Sequence, residues 1–269
     1  MKRHTNPSMD MNKNRQLFLI VTTIGTLITN SLWAEALWPI LETKTSAPVI
    51  TLSLGPGWTA PGNSRTFNLQ SDIKKTYNVT NSGNAFPAGE LFLAWQAPIG
   101  FNLLFQIGVE GETAQSAQLT GTIWEDADPN FNNYNYSYNV SHSQIAIKGK
   151  LLSDVNMVIQ PYVSASIGYG RNKAHGFKIS PKIYQEIPAP FFTDGSVDAL
   201  NYAFGIGIQK AINPSFQVGV GYEFANFGKA QLSPAAGQTI NNGLSALHVF
   251  ANQLLFSATY VFNEREGRM

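Results

Sequence analysis

The side chains best suited to proton transfer near neutral pH are His142, His175 and His248, the histidines that follow the first 36 residues. Ser141 and Ser143 flank His142, but neighbouring residues of a strand point to opposite faces. Neither serine is therefore expected within hydrogen-bond reach of that ring, as a nucleophile–base relay requires. His175 falls in a long loop and His248 at a strand end, so no enzyme is expected. Asp126-Ala127-Asp128-Pro129-Asn130 begins like a calcium loop. Phe131 stands where that loop needs glycine and Ser137 where it needs glutamate, so no metal site is expected. The absence of cysteine excludes disulfides, thiolate metal sites and cysteine nucleophiles. Nothing in the sequence calls for a cofactor.

A second group of residues could act through charge. Glu90, Glu110, Lys148, Lys150 and Glu223 interrupt otherwise uncharged alternating segments. Isolated buried charges lose hydration without compensation, so such residues are expected to face a common polar interior and to pair there. Glu223 is expected to meet Lys148 across that interior, with Glu110 too high on its strand to reach either lysine. A third group, Trp124 with Tyr134, Tyr136 and Tyr138 in the tyrosine–asparagine run at residues 131–139, reads as an exposed loop. Tyrosine and asparagine combine contact area with adaptable hydrogen bonding, as a surface-interaction site requires.

The elements that must position these residues follow from composition and period. Of 269 residues, 43% are hydrophobic and only 13% charged, about half the charge of an ordinary soluble domain. A formal net charge of +1 gives no basic patch for nucleic acid. Lys2, Arg3, Lys13 and Arg15 precede an apolar stretch at 17–32 and the small-residue site Ala34-Glu35-Ala36, the pattern of a cleaved signal peptide over residues 1–36. Beyond it no apolar run is long enough for a membrane-spanning helix.

The remaining chain alternates with period two. In 158–170, Ile159, Val163, Ile167 and Tyr169 oppose Gln160, Ser164, Ser166 and Gly168. In 216–225, Phe216, Val218, Val220, Tyr222 and Phe224 oppose Gln217, Gly219, Gly221, Glu223 and Ala225. Similar segments cover 49–58, 87–97, 101–111, 139–152, 200–209 and 254–262, which makes eight strands, each near or above the ~9–11 residues needed to cross a bilayer. One face is bulky and apolar, the other small and polar, as a narrow barrel in lipid requires. Short links alternate with segments of ~20 to 30 residues, the pattern of short periplasmic turns and long extracellular loops. The expected organisation is a signal peptide at 1–36, a periplasmic segment at 37–48, an all-β, eight-stranded antiparallel transmembrane barrel at 49–262, and a polar tail at 263–269. Trp58, Tyr169 and Phe227 should lie near the outer interface; Phe101, Phe216, Tyr260 and Phe262 belong near the inner one.

The signal peptide, the eight strands and the ending Leu254-Leu255-Phe256-Ser257-Ala258-Thr259-Tyr260-Val261-Phe262 resemble the small outer-membrane barrels of Gram-negative bacteria, in the manner of OmpA-like and OmpW-like barrel domains. Gly89-Glu90-Leu91-Phe92-Leu93-Ala94-Trp95-Gln96 is similar to a group of such proteins found in Legionella-type bacteria. The resemblance implies a bacterial outer-membrane location with loops outside the cell, and outer-membrane lipids as partners. It also makes Phe256, Tyr260 and Phe262 the signal read by the barrel-assembly machinery; that signal usually ends the chain, whereas here residues 263–269 follow. No peptidoglycan-binding domain is expected.

Two functions compete. One is a plugged barrel with a structural and surface-interaction role, its long loops contacting a host or surface ligand. The other is a narrow channel for small or apolar solutes, the function the OmpW-like resemblance implies. Eight strands enclose little beyond their own side chains, which favours the plug. Inward glycines and alanines in 200–209 and 216–225 leave the channel some room.

Overall fold

The computed structural model describes residues 46–60, 64–80, 84–153, 159–182 and 191–262. The proposed signal peptide, most of the segment at 37–48 and the tail at 263–269 lie outside these residues. Eight long strands form the fold: β1 (Ala47–Thr59), β4 (Ala85–Gly100), β5 (Leu103–Glu125), β6 (Asn132–Ser153), β7 (Gln160–Pro181), β8 (Gly195–Asn213), β9 (Phe216–Asn226) and β12 (Phe250–Val261). Each pairs antiparallel with the next, and β1 pairs with both β4 and β12, so the sheet closes on itself. The fold class is thus an eight-stranded antiparallel β-barrel. A hairpin of β2 (Arg65–Asn68) and β3 (Lys74–Thr80) continues the sheet beside the end of β5, and β10 (Ala230–Gln231) pairs with β11 (Ser245–Ala246).

Closure leaves the ring of eight long strands without a free edge, the condition for a sheet to sit in lipid. The polarity is inverted to match. Ile145 is 70% exposed and Leu200, Ile206 and Phe204 face outward with it, while Glu110, Gln106 and Gln253 are fully buried. Tight turns close one end. Phe101 and Asn102, with φ of 52° and 55°, join β4 to β5, the mirror-image turn whose twist suits a hairpin. Between β8 and β9 the Asn213 side chain accepts the N–H groups of Ser215 and Phe216 at 2.9 and 2.8 Å, holding the turn locally. Phe101, Phe216, Tyr260 and Phe262 are exposed at this end, and Trp58 and Tyr169 toward the other. Phe227 departs from expectation: it is 1% exposed. The chain leaves β9 after Asn226, passes through Gly228 at φ 76° and carries the ring into the barrel.

The main departure from the sequence reading is the length of β5 to β8. The expected long loop between the third and fourth strands is mostly strand, and only a short 3₁₀ turn at Pro129–Phe131 separates β5 from β6. A bulge explains why alternation hid this. Ala114 pairs with His142 but Ala117 pairs with Val140, so β5 carries one extra residue, with Ser116 at φ 57°. Such an insertion reverses which parity faces inward. Before the bulge Glu110, Glu112 and Ala114 point in; beyond it Ala117, Leu119 and Ile123 do. A large apolar core therefore sits at the extended end rather than at mid-barrel, built around Tyr77, Tyr136, Tyr138, Phe192, Leu232 and Leu244.

Candidate functional site: a filled lumen

All five charged residues singled out from the sequence are buried inside the barrel. Lys148 on β6 is the centre. Its Nζ lies 2.7 Å from Glu90 of β4, 2.8 Å from Glu110 of β5 and 3.1 Å from Glu223 of β9. Glu223 meets it from the far wall, as expected. Glu110 does too, against the expectation that it sits too high. Lys148 pairs in register with Gly108, and Glu110 is the diagonal neighbour two residues along, a gap that a long side chain spans. Among the described residues Lys150 pairs with no carboxylate; it donates to Gln209 at 2.7 Å and lies 3.9 Å from the Tyr162 ring centre.

Glu112 was missed, although it shares the parity of Glu110. Its carboxylate accepts Gln253 Nε2 at 2.7 Å and also the Gln144 amide. Further amides continue the lining toward the tight turns. Gln106 donates to Gln96 at 2.8 Å, and Gln209 to Gln217 at 2.7 Å. Uncharged amides supply both donor and acceptor, which suits groups removed from water.

The room beside two of the inward glycines is taken up by a side chain of β7. A Cβ at Gly207 or Gly221 would overlap Tyr162, whose side chain lies across both. The void beside Lys148, Glu90, Glu223 and Tyr162 is only about 30 Å³, room for one or two waters.

A second closure lies at the extended end. The segment between β9 and β12 folds against the hairpin β2–β3 and the chain before β8. Ser233 N donates to Thr193 O at 2.9 Å, Gln70 to Gly237 O at 2.9 Å and Asn241 to Asn68 O at 2.6 Å. Asn172, on the inner face of β7, donates to the carbonyls of Phe227 and Lys229 at 2.6 and 2.8 Å. Beneath them Phe227 stacks on His142, with ring centres 4.2 Å apart. Tyr134, Tyr136 and Tyr138 are each 4% exposed, so they form no exposed loop. Alternation along β6 turns all three rings inward, where Tyr136 meets Tyr77, Tyr138 and Phe177. Trp124 has the opposite parity beyond the bulge and is half-buried. Burial also pushes the Tyr77 phenol, on the hairpin, well above its ordinary range.

The residues weighed for catalysis and metal binding have structural partners. His142 Nδ1 lies 2.7 Å from Asn172 Oδ1. Ser141 meets His175 rather than its sequence neighbour, at 3.2 Å. Asp194 accepts the N–H of Gly176, the residue after His175, at 3.0 Å. His248 pairs with Asn226 at 3.2 Å. Asp128 caps the 3₁₀ turn by accepting Asn130 N at 2.9 Å.

No protein-family model and no curated protein matches the chain. Among solved structures the chain has only distant likenesses. Neisserial surface protein A has 11% identity and a TM-score of 0.43, with 81% of this chain and 100% of that one covered. Ail, the attachment invasion locus protein of Yersinia pestis, solved with the heparin analogue sucrose octasulfate, has 15% identity and a TM-score of 0.34, covering 80% and 99%. The outer membrane protease OmpT from Escherichia coli has 8% identity and a TM-score of 0.43, covering 84% and 99%.

Proposed function

We propose that the chain is a sealed barrel of the bacterial outer membrane, with a structural and surface-interaction role and no catalytic one. The observation that carries this reading is the filled lumen, blocked at mid-height by the Lys148 cluster and Tyr162 and again by the cap. An apolar outside and a charged inside support residence in lipid. In this reading the tight turns face the periplasm and the extended end faces outward. Outer-membrane lipids and the barrel-assembly machinery are then its partners. A surface ligand would meet the exposed rings of Phe131 and Phe191 and the outward polar face around Asn135, not the buried tyrosines. The narrow-channel alternative loses its room to Tyr162. Planar-bilayer recording tests the choice: the reconstituted protein should show no discrete conductance, whereas stable single-channel openings would establish the channel instead.

A further inference from the structure

The segment that caps the barrel also builds a hollow that closure of the lumen does not require. Arg65 and Phe67 of β2 line it with Lys229, Gln231, Asn241 and Ser245, and it encloses about 230 Å³. Arg65 Nη1 donates to the Ser245 hydroxyl and, at 3.4 Å, to the Ser245 carbonyl. The guanidinium is thereby held in place with most of its five N–H groups unspent. Among the described residues neither Arg65 nor Lys229 forms an ion pair. No aspartate or glutamate lines the hollow. A lining of two cationic side chains and side-chain amides without a carboxylate matches an oxyanion such as a phosphate, which an arginine fork recognises well.

A second observation identifies what carries the phosphate. Through Arg65 and Leu247 the hollow adjoins another, lined also by Ser64, Thr66, His248 and Phe250. Leu247 is 53% exposed. Phe250 stacks on Phe224 at 5.7 Å, and both lie at the upper end of the outward apolar face of β9 and β12. An anion held by Arg65 and Lys229 thus has apolar protein surface adjoining it on the side of the lipid-facing belt. We propose that Arg65 and Lys229 hold the phosphate of an anionic lipid from the surrounding leaflet, with its acyl chain against Leu247 and Phe250. This rests on the reading that the barrel spans a membrane. A soluble phosphorylated or sulfated sugar would use the two cations and leave both apolar residues idle.

The test uses the folded full chain in neutral detergent micelles doped with phosphatidic acid, or with diacylglycerol as the matching lipid without phosphate. Lipid retained on the protein is measured by native mass spectrometry, and stability by the unfolding temperature. Phosphatidic acid should be retained and should raise that temperature, and diacylglycerol should do neither. Arg65→Gln and Lys229→Gln should each weaken retention about tenfold, the loss expected for a charge-assisted hydrogen bond. Leu247→Ser should weaken it too, while Lys178→Gln, which removes an equal charge elsewhere on the extended end, should not. Should Arg65→Gln fail to fold, Arg65→Lys keeps the charge without the fork and should bind at an intermediate level. The proposal fails if Lys178→Gln weakens retention equally, or if diacylglycerol is retained as well. It also fails if inorganic phosphate or a sulfated disaccharide competes at the lipid's own concentration regardless of Leu247, which would mark a soluble-oxyanion site. Failure of the membrane reading is seen separately, as an inability of the wild-type chain to insert into liposomes.

Discussion

At the scale of single residues, Lys148 is the position on which the interior depends. Three carboxylates from three strands converge on its Nζ. Removing the lysine leaves them facing one another with no cation, a loss of about 3–5 kcal/mol for a buried pair. Glu223→Ala removes only one of three partners and should cost less. Because both variants break the same contact, the double variant should cost less than the sum of the two. Unfolding of the detergent-solubilised barrel, followed by tryptophan fluorescence, measures that cycle. Additive costs would mean that the two charges are hydrated separately. The five expected lumen residues were legible because charge on a strand bound for lipid can only point inward. Their partners were not. Contact across a lumen depends on the stagger of non-neighbouring strands, which no local pattern records.

At the scale of elements, the strands crossing the apolar belt were readable and their extensions were not. In β9 and β12 alternation runs unbroken from Phe216 to Phe224 and from Leu254 to Phe262, and the elements appear where period two puts them. In β5 a single inserted residue reverses parity at Ser116, so the apolar residues beyond it fall out of phase and look like loop. The tyrosines of β6 misled for a related reason. Tyrosine fits both an exposed contact surface and a buried core, and only the opposing β3 hairpin and Phe177 decide between them. The last strand carries its own expectation. If alternate aromatics ending at Phe262 are what the assembly machinery reads, Phe262→Ala should reduce the folded, heat-modifiable form far more than deletion of residues 263–269. Equal losses, scored by band shift on unboiled gels, would place the signal elsewhere.

At the scale of the whole molecule, a charge content of 13% and a closed sheet describe a chain made for lipid outside and polar groups inside. Fractionated cells should yield the protein with the outer membrane, starting near Leu37 by mass spectrometry, with β-type circular dichroism in detergent. Recovery of residues 1–36 in the mature protein, or a location in the inner membrane, would remove the signal-peptide reading. Composition, alternation and the rhythm of turns were enough to determine an eight-stranded antiparallel barrel and the faces of its alternating segments, though not of Phe227 beyond β9, because burial in a sheet obeys a local period of two. What fills the barrel was decided only by the tertiary structure. Tyr162 over Gly207 and Gly221, three glutamates on one lysine and a loop pinned across the extended end bring together residues tens of positions apart, and their meeting depends on how the sheet closes.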